Sequence, residues 1–194
     1  MKKFKNLSRD EKIETALKYR AYRNERSIKA RYLVALRKND GLTLNYFENA
    51  GDSFRQIIEN IKTFERAKLC GFTKLEINEY GRAEYRLKTV KKIEVCKSSI
   101  KIGITPNKSF VYGIWYQTGA AGGGWSPGIW NRMYKTQRDA EVCGLNYLRD
   151  IMIKGLEAEK TDSCGNYNKK LIRETLKEIE KIEIQNSTIS LGLF

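Results

Sequence analysis

The first part of the chain carries apolar residues at the spacing of amphipathic helices. Ser8 and Glu11 form the pattern of a capping box, which predicts a helix to about residue 38 with an interruption near 24–27. Ser53 and Gln56 form a second such pattern ahead of a continuous apolar face, which a glycine ends. Residues 1–71 are therefore predicted to be a basic helical region.

After residue 72 the apolar spacing changes to the two-residue period of β-strands. Short turns at Tyr80–Arg82 and Ser98–Ser99 divide the next stretch into two hairpins. Two more strands are predicted on either side of a long glycine-rich loop. The pattern thus predicts about six antiparallel strands, at 73–79, 83–90, 92–97, 100–105, 110–117 and 129–134.

Helical spacing returns after the last predicted strand. Thr136 is a candidate N-cap with Asp139 in the first turn of its helix, and a further helix is predicted over 169–183. The predicted fold class is α+β, with N-terminal helices, an antiparallel sheet of about six strands, and C-terminal helices packed on one face. The predicted regions, which together would form one compact unit, are 1–71, 72–154 and 155–194.

The stretch from residue 110 to residue 134 holds all three tryptophans and six of the fifteen glycines. Its central loop, 118–128, is far longer than a hairpin turn, and ordering it costs much backbone entropy. In one interpretation Trp125 folds back over the core of the sheet. In the other, a mobile loop presents an aromatic side chain to a partner, through Gly122, Gly123, Gly124 and Trp125. Trp115 lies on a predicted strand and is expected to be a core residue.

Composition excludes several classes of enzyme. The 194 residues contain no histidine, so Ser-His and Cys-His nucleophile pairs and histidine-metal nucleases are excluded. The four cysteines are scattered, which favours free thiols in a reducing compartment over the alternative of disulfides, and they lack the closely spaced pairs of a zinc site. No apolar run has the length of a membrane span or a signal peptide. We therefore expect a cytoplasmic protein with no catalytic residues, metal or cofactor.

The net charge of +14 is unevenly distributed. Residues 1–38 contain thirteen Lys and Arg against four Asp and Glu, which gives +9, and residues 82–108 contain eight against two, which gives +6. Two basic stretches in an otherwise nearly neutral chain predict contact with phosphates. The alternative is the solvated surface of an ordinary basic protein.

The candidate phosphate contacts lie on the first predicted helix and along the predicted sheet. From Arg20 to Lys29 every third residue is basic, and tyrosines between them offer flat faces to nucleic-acid bases. The same pattern would suit a helix with its tyrosines packed inward and its arginines in solvent. The predicted nucleic-acid-binding residues are Arg20, Arg23, Arg26, Lys29, Arg31, Arg86, Lys88, Lys91 and Lys92.

Tyr134, Thr136 and Ala140 follow the predicted sheet and open a helix. This junction resembles that of small DNA-binding modules and is similar to plant ethylene-response-factor domains and to the arm-binding domains of tyrosine integrases. The resemblance covers about a quarter of the chain, over 110–154. It implies a sheet that lies in the major groove of DNA with the helix behind it. The long glycine loop and the strands without regular basic residues depart from that pattern.

The C-terminal residues resemble the short peptides with which bacterial proteins bind the sliding clamp, of the form Gln-Leu-x-Leu-x-Leu. Thr188 stands where that motif has glutamine. The alternative is a terminal strand that packs on the body of the protein. The candidate partner-binding residues of this tail are Ile189, Leu191, Leu193 and Phe194.

Together these features predict a small, non-enzymatic, basic protein of bacterial, phage or mobile-element origin. Its expected partner is nucleic acid, either DNA or RNA, or a ribonucleoprotein or replication protein. The alternative from another class is an inhibitor or adaptor, for example a phage anti-defence factor that binds a nuclease or a replication protein. A metal-dependent enzyme is the third possibility.

Overall fold

The computed structural model describes residues 2–190 of the chain, with side chains up to residue 186. The chain divides into two compact units, Met1–Tyr85 (unit 1) and Arg86–Phe194 (unit 2). The sequence analysis placed its first boundary after residue 71. Tyr85 belongs to unit 1 because its ring packs against Phe64 and Phe72 and its hydroxyl donates to the Lys74 carbonyl at 3.1 Å.

Unit 1 is built from helices. Both predicted N-terminal caps are found, since the Oγ of Ser8 accepts from Glu11 N and the Oγ of Ser53 accepts from Gln56 N. Residues 41–48 form a further short helix, which the sequence analysis does not predict. The elements are a 3₁₀ turn Phe4–Asn6, α1 (Arg9–Lys18), α2 (Arg26–Lys38), α3 (Gly41–Glu48) and α4 (Phe54–Leu69).

A buried carboxylate explains the break between α1 and α2, which is longer than predicted. Glu25 is 2% exposed and accepts hydrogen bonds from the Tyr19 hydroxyl, the Tyr22 backbone N–H and the Lys62 ammonium at 2.9, 3.1 and 2.8 Å. Lys29 donates to the carbonyls of residues 17 and 19 at the end of α1. These bonds hold residues 19–25 outside the helices, so the interruption predicted near 24–27 is found but begins earlier, and the predicted helix is wrong over 19–23.

Burial would raise the pKa of Glu25, but the hydrogen bonds from Lys62, the Tyr22 backbone and Tyr19 outweigh it and hold the pKa below its usual value. Burial, together with the bond to this carboxylate, raises the pKa of Tyr19 to about 12. The carboxylate is therefore ionised at neutral pH and the phenol is protonated, as their hydrogen bond requires.

Aromatic rings fill the centre of unit 1. Tyr32 lies within 5.8 Å of the rings of Phe4, Phe47 and Phe54, measured between centroids. Its hydroxyl donates to Glu48 at 3.0 Å, and burial followed by the charge of that carboxylate raises the pKa of Tyr32. The apolar face predicted for α4 supplies the rest of this core, at Ile57, Ile58 and Ile61.

Unit 2 is an antiparallel sheet with two helices on one face. Its strands follow one another in space as they do in the chain, in the order β1-β2-β3-β4. Helix α5 packs on β2 and β3, and α6 packs on α5 and β1. The elements are β1 (Lys88–Val95), β2 (Ser98–Ile104), β3 (Phe110–Gln117), β4 (Gly122–Trp125), α5 (Gln137–Glu159) and α6 (Lys169–Ser190).

The α+β class is confirmed, but six strands overstate the sheet, which has four over residues 2–190. The predicted hairpin over 73–79 and 83–90 is reduced to one bridge, between Ile77 and Ala83, with only residues 88–90 entering a strand. The side chain of Asn60 on α4 donates to the Gly81 carbonyl and accepts from the Ala83 N–H. It thereby takes backbone bonds that a regular hairpin would have used.

The glycine-rich stretch supplies the fourth strand, and the strand predicted over 129–134 is wrong. That segment makes a single bridge, between Tyr134 and Phe110. Within β4, Gly124 has a φ of +155°, and a Cβ there would lie 2.1 Å from the Ile114 carbonyl oxygen. Glycine is required at this position because β4 approaches β3 too closely for a side chain.

A short segment after β4 crosses the sheet on the face opposite α5. A Cβ on Gly113 would lie 2.4 Å from the Pro127 nitrogen, and one on Gly103 would lie 2.8 Å from the Pro127 Cβ. Residues 126–128, here called the strap, therefore lie directly on these two glycines. They cover one end of a sheet face that would otherwise be open.

Replacing Glu25 with Ala is expected to lower the free energy of unfolding of unit 1 by roughly 2–3 kcal/mol, because three donors lose a buried, charged acceptor. Helix circular dichroism during urea denaturation measures the loss. Since the pKa of Glu25 is held below 4.5, its stabilisation is complete above that pH and is lost as the pH falls through the lowered pKa.

The matched control is Glu14→Ala, which removes an exposed carboxylate paired with Lys18 on α1. It should change the free energy of unfolding by about 0.5 kcal/mol or less. Equal losses in the two variants, or a loss for Glu25→Ala that does not shrink in acid, would contradict the assigned role of Glu25.

Candidate nucleic-acid interface

The face of the sheet away from α5 is partly open. Tyr112 and Ile114 on β3 point into the core, so Gly113 and Trp115 point the other way. The strap covers the Gly113 end of this face. The rest, here called the open sheet face, consists of side chains from β1, β2 and β3, namely Lys92, Glu94, Ser99, Lys101 and Trp115.

Trp115 is the most conspicuous residue of the open sheet face. It is 59% exposed, although it lies in the middle of a strand whose neighbouring residue Ile114 is buried. Its strand partners are Ser99 on one side and Gly124 on the other, and Gly113 lies two residues before it on the same face. Neither glycine adds a side chain beside the indole, and on the Gly113 side its neighbour is the strap.

The strand register brings two lysines together beside the tryptophan. Lys92 pairs with Lys101 across β1 and β2, and Lys101 is the partner of Gly113 on β3. Lys92 forms an ion pair with Glu94. Lys101 has no carboxylate partner among the side chains up to residue 186 that the structure describes. Like charges on directly opposed positions are unfavourable, so this pair holds positive charge at a cost.

Trp115 and the lysines surround a depression of about 410 Å³. The strap contributes Ser126 to one wall, and the edge strand β4 contributes Gly124 and Trp125. No carboxylate is among the residues that line it, and since Glu94 on the same face pairs with Lys92, the unpaired positive charge of the depression is that of Lys101. Its full lining is Lys92, Ser99, Lys101, Ile114, Trp115, Gly124, Trp125 and Ser126.

Several of the nine predicted basic residues are engaged by the protein itself. Lys29 caps α1, Arg31 pairs with Glu65, and Lys91 pairs with the buried Glu141 on α5 at 2.7 Å. Arg86 precedes β1 and has contacts of its own, and Lys88 begins that strand. Of the nine, only Lys92 lies on the open sheet face.

Arg20 and Arg23 lie in the segment between α1 and α2, and Arg26 is the first residue of α2. All three are exposed, and within residues 2–186 no carboxylate pairs with them. Tyr22 stands among them, 72% exposed. This basic surface of unit 1, here called the connector surface, is held in shape by Glu25 from beneath.

Trp125 packs within unit 2. It is 37% exposed, and its ring meets Tyr147 of α5 edge-on at 5.2 Å and lies 6.3 Å from Tyr112. This is the placement expected if the tryptophan folds back on its own sheet. Gly122, Gly123 and Gly124 are strand residues of β4. Binding of a partner by these four residues stays a prediction.

The expectation that Trp115 belongs to the core is wrong. Residues 110–117 carry apolar side chains on both faces of the strand, so their alternation does not identify the side that α5 covers. The residues on each face of the strand do carry a signal. Gly113 and Gln117 share the face of Trp115, whereas Tyr112 and Tyr116 share that of Ile114, so the Ile114 face is the more apolar and is the one expected to be buried.

The proposed clamp-binding tail lies mostly outside the described residues. Residue 189 falls within α6, which extends beyond the predicted end at 183. Leu191, Leu193 and Phe194 are outside the described part of the chain.

No family model matches this chain, and no curated protein or solved structure is significantly similar to it. At the junction that resembles a DNA-binding module, Thr136 accepts from the Asp139 N–H at 3.1 Å as the N-cap of α5, but the strand predicted ahead of it is reduced to one bridge. Within residues 2–190, no helix has both the length and the apolar character needed to cross a membrane. The function is therefore argued from the site itself.

Two neighbouring substitutions on β3 test the assignment of the faces. Trp115→Ala should change the free energy of unfolding by about 1 kcal/mol or less, because the indole is mostly in solvent. Ile114→Ala should cost roughly 2–5 kcal/mol, because it leaves a cavity under α5. All three tryptophans lie in unit 2, so fluorescence of those that remain follows its urea denaturation. A larger loss for Trp115→Ala would show that the open sheet face is covered.

Proposed function

We propose that this protein binds nucleic acid through the open sheet face of unit 2 and performs no chemistry on it. The proposal rests on the exposed indole of Trp115 near the ammonium of Lys101. No carboxylate within residues 2–186 forms an ion pair with this lysine. Proteins that hold nucleic acids without reading a long sequence combine aromatic rings, on which bases stack, with cations that follow the phosphates. The depression brings one of each together.

The charge of the site favours nucleic acid over a protein partner. Tryptophan is common at the centres of protein interfaces, but lysine is depleted there. The open sheet face carries Lys92, which is paired with Glu94, and the unpaired Lys101 near its tryptophan, on a chain of net charge +14. Such a surface attracts a polyanion from a distance and then offers an apolar ring at close range.

A binding role, without catalysis, is proposed because of the residues that line the depression. They are lysine, serine, glycine, isoleucine and tryptophan, with no carboxylate or thiol among them. A carboxylate-held magnesium ion would need carboxylates, and acid–base chemistry here would have to rest on the lysines alone, without a histidine or carboxylate to assist them. An inhibitor or adaptor that binds a protein is the rival function.

We further propose the connector surface of unit 1 as a second phosphate contact. Arg20, Arg23 and Arg26 project from a segment that Glu25 fixes, so little order has to be gained when they bind. Tyr22 gives this surface an aromatic ring as well.

The test of the sheet face is charge reversal at Lys92 and Lys101 together. Binding of a labelled oligonucleotide, followed by fluorescence anisotropy between about 50 and 200 mM salt, should be steeply salt-dependent for the wild type. The double substitution to Glu should weaken binding at least about tenfold and flatten the salt slope by about 1–2. Both DNA and RNA are tested.

The matched control reverses two exposed lysines of α6, Lys170 and Lys177, which gives the same change in net charge. If the control loses as much affinity, the effect is one of overall charge and the assignment to the open sheet face fails. If the wild type binds no polymer at low salt, the proposal fails and the protein-partner function replaces it.

Reversing Arg20, Arg23 and Arg26 to Glu should also weaken binding and reduce the salt slope, by about 1 for each phosphate that the variant no longer binds. Lys29 is left intact because it caps α1, and circular dichroism checks that the helices remain. An unchanged slope would remove the connector surface from the binding site and leave the sheet face as the proposed contact.

A further inference from the structure

We infer that the depression beside Trp115 receives one unpaired base, stacked on the indole, so that the protein prefers single-stranded nucleic acid to duplex. This inference rests on the nucleic-acid binding proposed above and names its substrate class. It departs from the arrangement implied by the junction at Tyr134 and Ala140, in which a sheet enters the major groove of duplex DNA.

The strap is the first reason. A sheet that reads duplex DNA must reach the floor of a groove about 12 Å wide and 8.5 Å deep, so its face has to project from the protein. Here Pro127 lies on Gly103 and Gly113, directly beside the row that contains Trp115. The strap rises beside the open sheet face and forms one wall of the depression. A recessed surface of this kind cannot enter a groove.

The orientation of the bases is the second reason. In a duplex each base is stacked between its neighbours and shows only its edges in the grooves. An indole can make face-to-face contact only with a base that is unpaired, as in a single strand or a loop. A depression of about 410 Å³ is at the lower end of the range for small-ligand sites and suits one planar ring system.

The position of Lys101 completes the site. It lies one strand over from Trp115 and two residues along, a diagonal neighbour whose Cα is about 7–8 Å away. Its flexible stem allows the ammonium to reach the phosphate of a nucleotide whose base covers the indole. The site therefore matches the two ends of one nucleotide with an aromatic ring and a cation.

Two glycines adjoin Trp115 on the sheet, and neither adds a side chain beside the indole. Gly124 is its partner on β4, and Gly113, two residues before it on β3, lies beneath the strap. The indole is 59% exposed, so a base can reach the part of it that the strap does not border.

The test compares single-stranded and duplex oligonucleotides of the same length and sequence, about 16 nucleotides long. The wild type should bind the single strand more tightly. Trp115→Ala should weaken that binding roughly 5- to 150-fold, the range for loss of one stacked base, without changing the salt slope. Trp115→Phe should restore much of the affinity, since it keeps a ring. Duplex binding should change less than about twofold, because paired bases offer no face to the indole.

The control variant is Trp130→Ala, which removes another tryptophan of unit 2 that is 57% exposed but lies outside the lining of the depression. It should bind as the wild type does. A protein with Trp125 and Trp130 both changed to Phe retains Trp115 as its one indole, whose fluorescence a stacked base should quench. Urea denaturation checks that each variant is folded.

The outcomes separate this inference from the proposed function. If the duplex binds as tightly as the single strand and Trp115→Ala has no effect, while reversal of Lys92 and Lys101 still weakens binding, the inference fails and the proposed function stands. If neither change affects binding of either polymer, both fail. Quenching of Trp115 by the duplex as strong as by the single strand would also overturn the inference.

Discussion

The contact between Pro127 and Gly113 is the constraint on which unit 2 depends. Strand β3 lies between two layers, with Ile114 against α5 on one face and the strap on Gly113 on the other. The segment after the strap runs back to β3, where Tyr134 forms a bridge with Phe110. Thr136, the N-cap of α5, follows two residues later. A side chain at position 113 would lift the strap and displace the connection that places α5 on its face.

Unit 1 depends in a similar way on one buried polar residue. Glu25 interrupts what the sequence indicates as a nearly continuous helix, and the interruption sorts the basic residues into two groups. Lys29 and Lys62 turn toward backbone carbonyls and the carboxylate, whereas Arg20 and Arg23 remain in solvent. Residues that look equivalent in the sequence thus differ in what they can bind, because a charge already paired within the protein has less to offer a phosphate.

Signals within a few residues of one another were predictable, and those that depend on distant contacts were not. The caps at Ser8, Ser53 and Thr136 are local hydrogen bonds, and each is found. The glycine stretch is predicted as a loop, since glycine is depleted in strands. It forms β4 nonetheless, and at Gly124 the backbone of β3 lies so close that only glycine fits. The exposure of Trp115 was missed because the face that α5 covers is decided by residues more than twenty positions away.

The proposed class of partner rests on the overall charge, and the proposed binding place rests on which basic residues the fold leaves unpaired. Many of the basic residues are consumed by internal ion pairs and caps, so the basic stretches of the sequence overstate the surface available for phosphates. Lys101 is different because it has no carboxylate partner among the described side chains, whereas Lys92, directly opposite it on β1, is paired with Glu94. If a phosphate binds Lys101 as proposed, it would supply the counter-charge that the protein itself does not. Binding at this face would then stabilise the folded sheet, because a ligand that binds only the native state raises its stability.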